Sequence, residues 1–265
     1  MRLSISHDTT YKYDEEVRSS IQYLRITPQQ NEQQQVLSWE LNLPRPVRAQ
    51  RDPYGNILHV LTVDVPHDSI VIGAHGQVDI DDRCESIHEK QSALPFLRVT
   101  RLTEPNQALR EFANVQCKTR RDRTAMIDLM QALNAHIRYE KGVTTTETSA
   151  GEAFAAGCGV CQDHAHAFLA CARSLGVPSR YVSGYLYTDD SDHLASHAWA
   201  EAWLDGAWYS FDITNNLTLP ERHLKLAVGL DYLDACPVRG MRRGGGGEQM
   251  HAHVDVSPLL MVQAQ

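Results

Sequence analysis

The chain has no surplus of positive charge: 25 Lys and Arg stand against 33 Asp and Glu in 265 residues, a formal net charge of −8. With no basic stripe to follow a phosphate backbone, nucleic acid is excluded as an expected partner. Cysteine is sparse, with six residues at 84, 117, 158, 161, 171 and 236. That is too few to form a disulfide scaffold at this length, so reduced thiols are expected. Long apolar runs are missing too. Asp8, Lys12 and Asp14 through Glu16 interrupt the N-terminus before a signal-like stretch can form, and no later segment approaches the ~20 apolar residues that span a bilayer. A cytoplasmic protein with no membrane partner is expected. The only glycine run, GGGG at 244–247, has neither a GK[ST] nor a G-x-G-x-x-G helix start beside it, so it reads as a flexible loop and not a phosphate cradle.

What is present divides the chain. At 42% hydrophobic it can bury a sizeable core, as one large domain or two ordinary ones. Residues 1–82 read as an all-β domain, because RLSISHDTTYKY, IQYLRITP, VLSWELNLP, NILHVLTVDVP and IVIGAHGQVDI are short, often alternating, and punctuated by Pro, Gly or Asn. The polar run 29–35 reads as a solvated loop and DPYGN at 52–56 as a turn. Residues 83–103 read as a linker before a second domain over 104–265. That domain opens with helical periodicity at 104–116 and 121–140. Another helix begins after Gly157, with Ala165, Phe168, Leu169, Ala172 and Leu175 on its apolar side, and stops at Gly176 and Pro178. RYVSGYLYT at 180–188 and HAWAEAWLDGAWYSFDIT at 197–214 then read as strands, and QMHAHVDV as an edge or return strand with His251 and His253 facing solvent. Helices followed by antiparallel sheet predict an α+β fold.

The stretch GCGVCQDHAH at 157–166 crowds two cysteines, two histidines and an aspartate at a helix start. Unpaired N–H groups and the positive end of the dipole favour an anion there, which makes Cys161 a candidate thiolate nucleophile; Cys171, deep in the helix, reads as packing. A nucleophile needs a base and an orienting acid. Asp205-Gly206 is the strongest hairpin signal in the chain, and with these two as the loop, Trp199 falls opposite Asp212 and His197 opposite Thr214. His197 and Asp212 are then diagonal neighbours, about 7–8 Å apart at Cα, on one face. That face also carries Trp199, Glu201, Trp203, Trp208 and Ser210. The other collects Ala198, Ala200, Ala202, Leu204, Ala207, Tyr209, Phe211 and Ile213 as the core side. His164 is the rival base. A redox pair would need Cys158 with Cys161. A zinc site would need a second knuckle, which the isolated Cys84 and Cys117 do not supply, and His164 and His166 diverge by about 200° around a helix.

These segments also resemble the transglutaminase-like superfamily. The likeness is carried by GCGVCQDHAHAF, LGVPSRYVSGY and SHAWAEAWLDGAWYSFDITNN, and the bacterial branch by LRITPQ, DPYGN and DYLDACPVRG. Together they span nearly the whole chain, with Leu230 standing where many members of this branch have Arg. The resemblance implies a papain-like core and thiol acyl-transfer chemistry, with Cys161, His197 and Asp212 in the triad places. Relatives of this kind are described as candidate cysteine proteases or amide hydrolases, so hydrolysis of peptide or glutamine-type amides is placed ahead of transfer to an amine. The backbone N–H of Cys161, with Gln162 as one option for a side-chain partner, would serve as oxyanion donor. Trp199, Trp203 and Trp208 would line a substrate groove or else pack under the N-terminal region. The expected partner is a peptide or protein, with a small primary amine as a second substrate. No cofactor or metal is expected, since no acidic loop has calcium-binding spacing. Two alternatives stand: a non-catalytic peptide-binding scaffold on the same fold, and a C-x-x-C redox protein.

Overall fold

β1 (Arg2–Leu24) organises the first sheet, and the two strands expected at its ends are one continuous strand of 23 residues. Side chains on alternate positions are buried from Leu3 to Tyr13, and the alternation breaks at the charged Asp14–Glu16 stretch, where the register shifts. The computed structural model describes residues 1–188, 196–219 and 221–259. Next come β2 (Gln34–Asn42), β3 (Ala49–Arg51), β4 (Ile57–Val63) and β5 (His67–Ile80), in the spatial order β2-β5-β1-β4-β3. The stretch expected to be a linker is packed structure: β6 (Ser86–Ile87) pairs Trp208 and Tyr209, and Phe96 is buried beside it.

Three helices follow with a short strand among them: α1 (Gln107–Cys117), α2 (Arg123–His136), β7 (Arg138–Tyr139) and α3 (Ala150–Ala156). Side-chain oxygens of Asn106, Asp122 and Ser149 accept first-turn N–H groups and start the three helices. β8 (Cys158–Gly159) pairs β7 in parallel and leads into α4 (Cys161–Ser174). β9 (Ser179–Leu186), β10 (Ser196–Leu204), β11 (Ala207–Phe211) and β12 (His223–Gly229) build the second sheet, ordered β12-β9-β10-β11-β6. After the short α5 (Tyr232–Ala235), β13 (Val238–Gly244) and β14 (Glu248–Pro258) correct the sequence-based division. Both pair with β1, so these strands belong to the first sheet and not to the Cys161 half. The glycine run is the bend between them. Among the described residues, no helix is long and apolar enough to cross a membrane.

The β10–β11 hairpin has the expected register, with Ala200 opposite Phe211 and Leu204 opposite Ala207. Asp205 and Gly206 hold φ of 49° and 89°, the left-handed pair that a two-residue hairpin turn needs. Ala198, Ala200, Ala202, Leu204 and Phe211 pack on Phe168 and Leu169 of α4, and the Phe168 and Phe211 rings stack at 5.1 Å. The second face, expected to bear the site with its tryptophans lining a groove or packing under the N-terminal region, is also buried. Trp208 packs against Ile87, Ala93 and Phe96, and Trp199 against Val182 and Val228. Glu201, 1% exposed, is charge-matched there: Arg180 and Lys225 reach its two oxygens at 2.6 and 2.8 Å, and Arg180 also grips Glu89 at 2.8 Å.

β12 is an edge strand, and two amide side chains from the first half close its free edge. Gln34 accepts the Lys225 N–H at 2.9 Å and donates to the Lys225 carbonyl at 2.8 Å. Asn56 does the same for Val228, at 2.8 and 2.7 Å. Each amide thus offers the donor and acceptor of an absent neighbouring strand. Asn56→Ala would strand a buried N–H and C=O. Urea unfolding should show a loss of about 1–3 kcal/mol, and a change within the error of the measurement would contradict the edge-closing role.

Candidate active site

The glycines of GCGVC have separate tasks. Gly157 ends α3 in the left-handed region at φ 65°. At Gly159 a Cβ would lie 2.7 Å from Asp163 Oδ2, so only glycine leaves room for that carboxylate to fold back over the start of α4. There Asp163 accepts the Val160 N–H at 2.8 Å and the Thr144 hydroxyl at 2.7 Å. Cys161 follows as the first residue of α4, half-buried, and shares a cavity wall with His197, whose imidazole its thiol helps to raise.

His197 reaches the same point from β10. Its Nε2 donates to Asp212 Oδ2 at 2.8 Å, which leaves Nδ1 as the ring nitrogen for the thiol. Asp212 lies just past β11, where Asp212 and Leu217 bridge and turn the chain. Asn215 on that turn donates Nδ2 to Oδ2 at 2.7 Å and its backbone N–H to Oδ1 at 3.2 Å. His223 of β12 donates Nε2 to the same Oδ2, also at 2.8 Å. His197, Asp212 and His223 therefore hold ligand-type atoms within 4.8 Å of one another. With Asn215 included, three N–H donors converge on one carboxylate oxygen, the pattern of a hydrogen-bonded anion.

The electrostatics follow from that packing. Burial alone would drive His197 neutral, but the charge and hydrogen bond of Asp212, with the Cys161 thiol, overcome it and raise the imidazole to about 10. Burial likewise disfavours the Asp212 anion, yet His197 and His223 hold it well below the ordinary carboxylate range. His223 is lowered, chiefly by burial against the pull of Asp212. The rival base is ruled out by its bonds. His164 Nε2 donates to the Ile137 carbonyl at 2.8 Å and Nδ1 takes the Thr214 hydroxyl at 2.9 Å, so the ring is a strut between elements. His166 is fully buried, and burial lowers it to about 3.

A cavity of about 180 Å³ opens over Cys161 and His197, with Tyr139, Lys141, Leu186 and Thr214 in its walls. Larger clefts of about 420 and 590 Å³ lie elsewhere, and neither is lined by a cysteine. Gln162 is turned away: its amide donates to the Thr146 carbonyl at 3.3 Å. None of Trp199, Trp203 and Trp208 is among the residues lining this cavity. Trp199 stacks behind His197 with ring centres 6.1 Å apart, and Trp203 packs on Trp208 at 5.3 Å. Cys158 does not line the cavity either, and all six cysteines are free thiols.

Residues 3–79 match the bacterial transglutaminase-like N-terminal region, and residues 111–213 match the transglutaminase-like superfamily. A protein of Mycobacterium tuberculosis is 30% identical over a 273-residue alignment covering 91% of this chain and 87% of that one. The chain belongs to the transglutaminase-like superfamily. A Mycobacterium leprae relative is 27% identical over 97% of this chain and 99% of its own length. A crystal structure from Cytophaga hutchinsonii shares the fold, with a TM-score of 0.79 at 23% identity over 100% of this chain and 92% of that one.

Within this transglutaminase-like fold, sequence reasoning brought together Cys161, His197 and Asp212 but missed His223, Asn215 and the cavity wall at Tyr139 and Lys141. The alternation of Leu224, Leu226 and Val228 marks β12 as a strand and would have located His223. Its contact with Asp212, made across β9 and β10, has no local signal. A raised His197 has a stability consequence. Its contribution is full below the unfolded value near 6.5 and is lost as pH rises through about 10. The difference in Tm between the wild type and His197→Ala should therefore shrink between pH 7 and pH 10, as followed by circular dichroism; a difference that grows would contradict the charged ring.

Proposed function

We propose that this protein is a thiol-dependent acyltransferase or hydrolase acting on peptide or glutamine-type amide bonds, with hydrolysis ahead of transfer to an amine. The observation that carries the reading is the single cavity in which the Cys161 thiol meets an imidazole held charged by Asp212. In the proposed reaction the Cys161 thiolate attacks the carbonyl carbon. A C–S bond forms as the C=O π pair moves onto oxygen, and the backbone N–H of Cys161 at the helix start is positioned to receive that charge, a donor worth about 10²–10³ in rate. On collapse the C–N bond breaks, and the leaving nitrogen takes the His197 Nδ1 proton. Water or an amine then attacks the thioester, gives its proton to His197, and releases the thiolate. The small volume of the cavity, about 180 Å³, supports water as the ordinary acceptor.

The helix-start thiol packed on antiparallel sheet supports a papain-like core, preceded by an N-terminal all-β domain whose sheet the C-terminal strands complete. The Cytophaga hutchinsonii protein is described as a candidate cysteine protease, and this reading brings the same chemistry here. The free thiols support a cytoplasmic setting, with a peptide or protein as partner. The redox alternative is set aside because Cys158 does not share the cavity with Cys161.

Incubated with a library of glutamine-containing peptides, the wild type should carry a trapped acyl mass on Cys161 in intact-protein mass spectrometry. Cys161→Ala should carry none. His197→Ala should lower turnover by a factor on the order of 10³ or more, while Cys158→Ala should leave it unchanged. No adduct on residue 161, with binding retained in all three variants, would favour the scaffold instead.

A further inference from the structure

The acyl-transfer steps use one histidine, yet the carboxylate behind it holds two. His223 is 1% exposed, and its Nε2 stands 2.8 Å from the same Asp212 oxygen that accepts from His197. An ionised carboxylate only accepts, so His223 Nε2 carries a hydrogen. Its other nitrogen, Nδ1, is buried with no hydrogen-bond partner. A ring with one bonded donor and one orphaned nitrogen is the neutral Nε2–H tautomer, since a second proton would be a buried, unsolvated cation beside His197. The charged and titratable groups that act on it are Asp212, His197 and Glu221. Trp199 closes the remaining side, edge-on to His223 with ring centres 4.9 Å apart.

The placement of this ring is built in. β12 is tied to β9 on one edge and to the Gln34 and Asn56 amides on the other, so the strand that bears His223 is fixed from both sides. Asn215, the third donor to the oxygen, rides instead on the turn that follows Asp212.

We propose that His223 is a positioning residue for the reaction: its Nε2–H pins Asp212 Oδ2, so that the carboxylate stays turned toward His197 and stays an anion. With fewer donors, a buried carboxylate becomes more basic and draws the imidazole proton toward itself. The pair would then lose the charge separation that keeps the thiol activated. Because the first half of the chain holds β12, it supports the site through this contact without lining the cavity.

The proposal rests on the acyl-transfer reading for its kinetic readout but not for its geometry, and the test separates the two. Nitrogen-15 NMR of the wild-type imidazoles between pH 6 and 8 should show His223 as a neutral Nε2–H ring; a charged ring or the Nδ1–H tautomer would overturn the proposal whatever the activity. His223→Gln keeps an amide N–H near the place of Nε2, whereas His223→Leu fills the space without a donor. The leucine variant should lose kcat about 10- to 100-fold with KM unchanged. It should also slow iodoacetamide alkylation of Cys161 and shift the low-field proton of the His197–Asp212 bond, while glutamine restores most of each. Equal behaviour of the two folded variants would reduce His223 to packing and end the proposal. If the wild-type thiol alkylates like an ordinary cysteine and turns nothing over, the acyl-transfer reading fails, and the NMR tautomer and the low-field proton still decide the role of His223.

Discussion

A single oxygen atom, Asp212 Oδ2, is where the architecture converges. It accepts from His197 on β10, from His223 on β12 and from Asn215 on the turn after β11, each within 2.8 Å. Those donors come from the centre, the edge and the exit of the second sheet. The anion can be buried only because all of them arrive together, since a desolvated carboxylate with fewer partners would take up a proton. The charged state of His197 depends on that anion.

A second polar knot sits farther along the same sheet face. Arg180 and Lys225 flank Glu201, and Glu89 closes the far side of Arg180, giving two positive and two negative groups. Arg180 also lies over the Trp208 ring at 4.1 Å. A buried ion network of this kind adds little net stability compared with apolar packing, but losing one member leaves an unmatched charge. Each member therefore needs the others in place: Glu89 brings its segment onto Arg180, and Lys225 reaches Glu201 from the strand that also carries His223.

Much of this was legible in the sequence where the cause is local. The Asp205-Gly206 turn sets the register of its hairpin within a few residues, and the glycines before Cys161 mark a helix start without reference to anything distant. The misreadings share one cause: they concern surfaces closed by residues far away in the chain. Trp199, Trp203 and Trp208 alternate with polar residues, which ordinarily means a solvent-facing strand, but the segment 83–103 and the first sheet cover that face. Gln162 stands beside the thiol in sequence, while its side chain is claimed by Thr146 on another loop. β14 reads as an edge or return strand, β13 does not read as a strand at all, and nothing in their composition says that their partner is β1.

That last pairing bears on how the molecule is made. Leu3 sits opposite Pro258 and Leu24 opposite Val238, so β1 takes two of its neighbours from strands far along the chain. Pairings of such sequence separation form slowly, because the intervening chain must first be ordered or looped out. The helical core around Cys161 can collapse while one side of β1 is still bare, and synthesis has to pass residue 258 before that side is covered. Until those strands have been made, β1 presents an open hydrogen-bonding rim, and a nascent chain needs shielding during that interval.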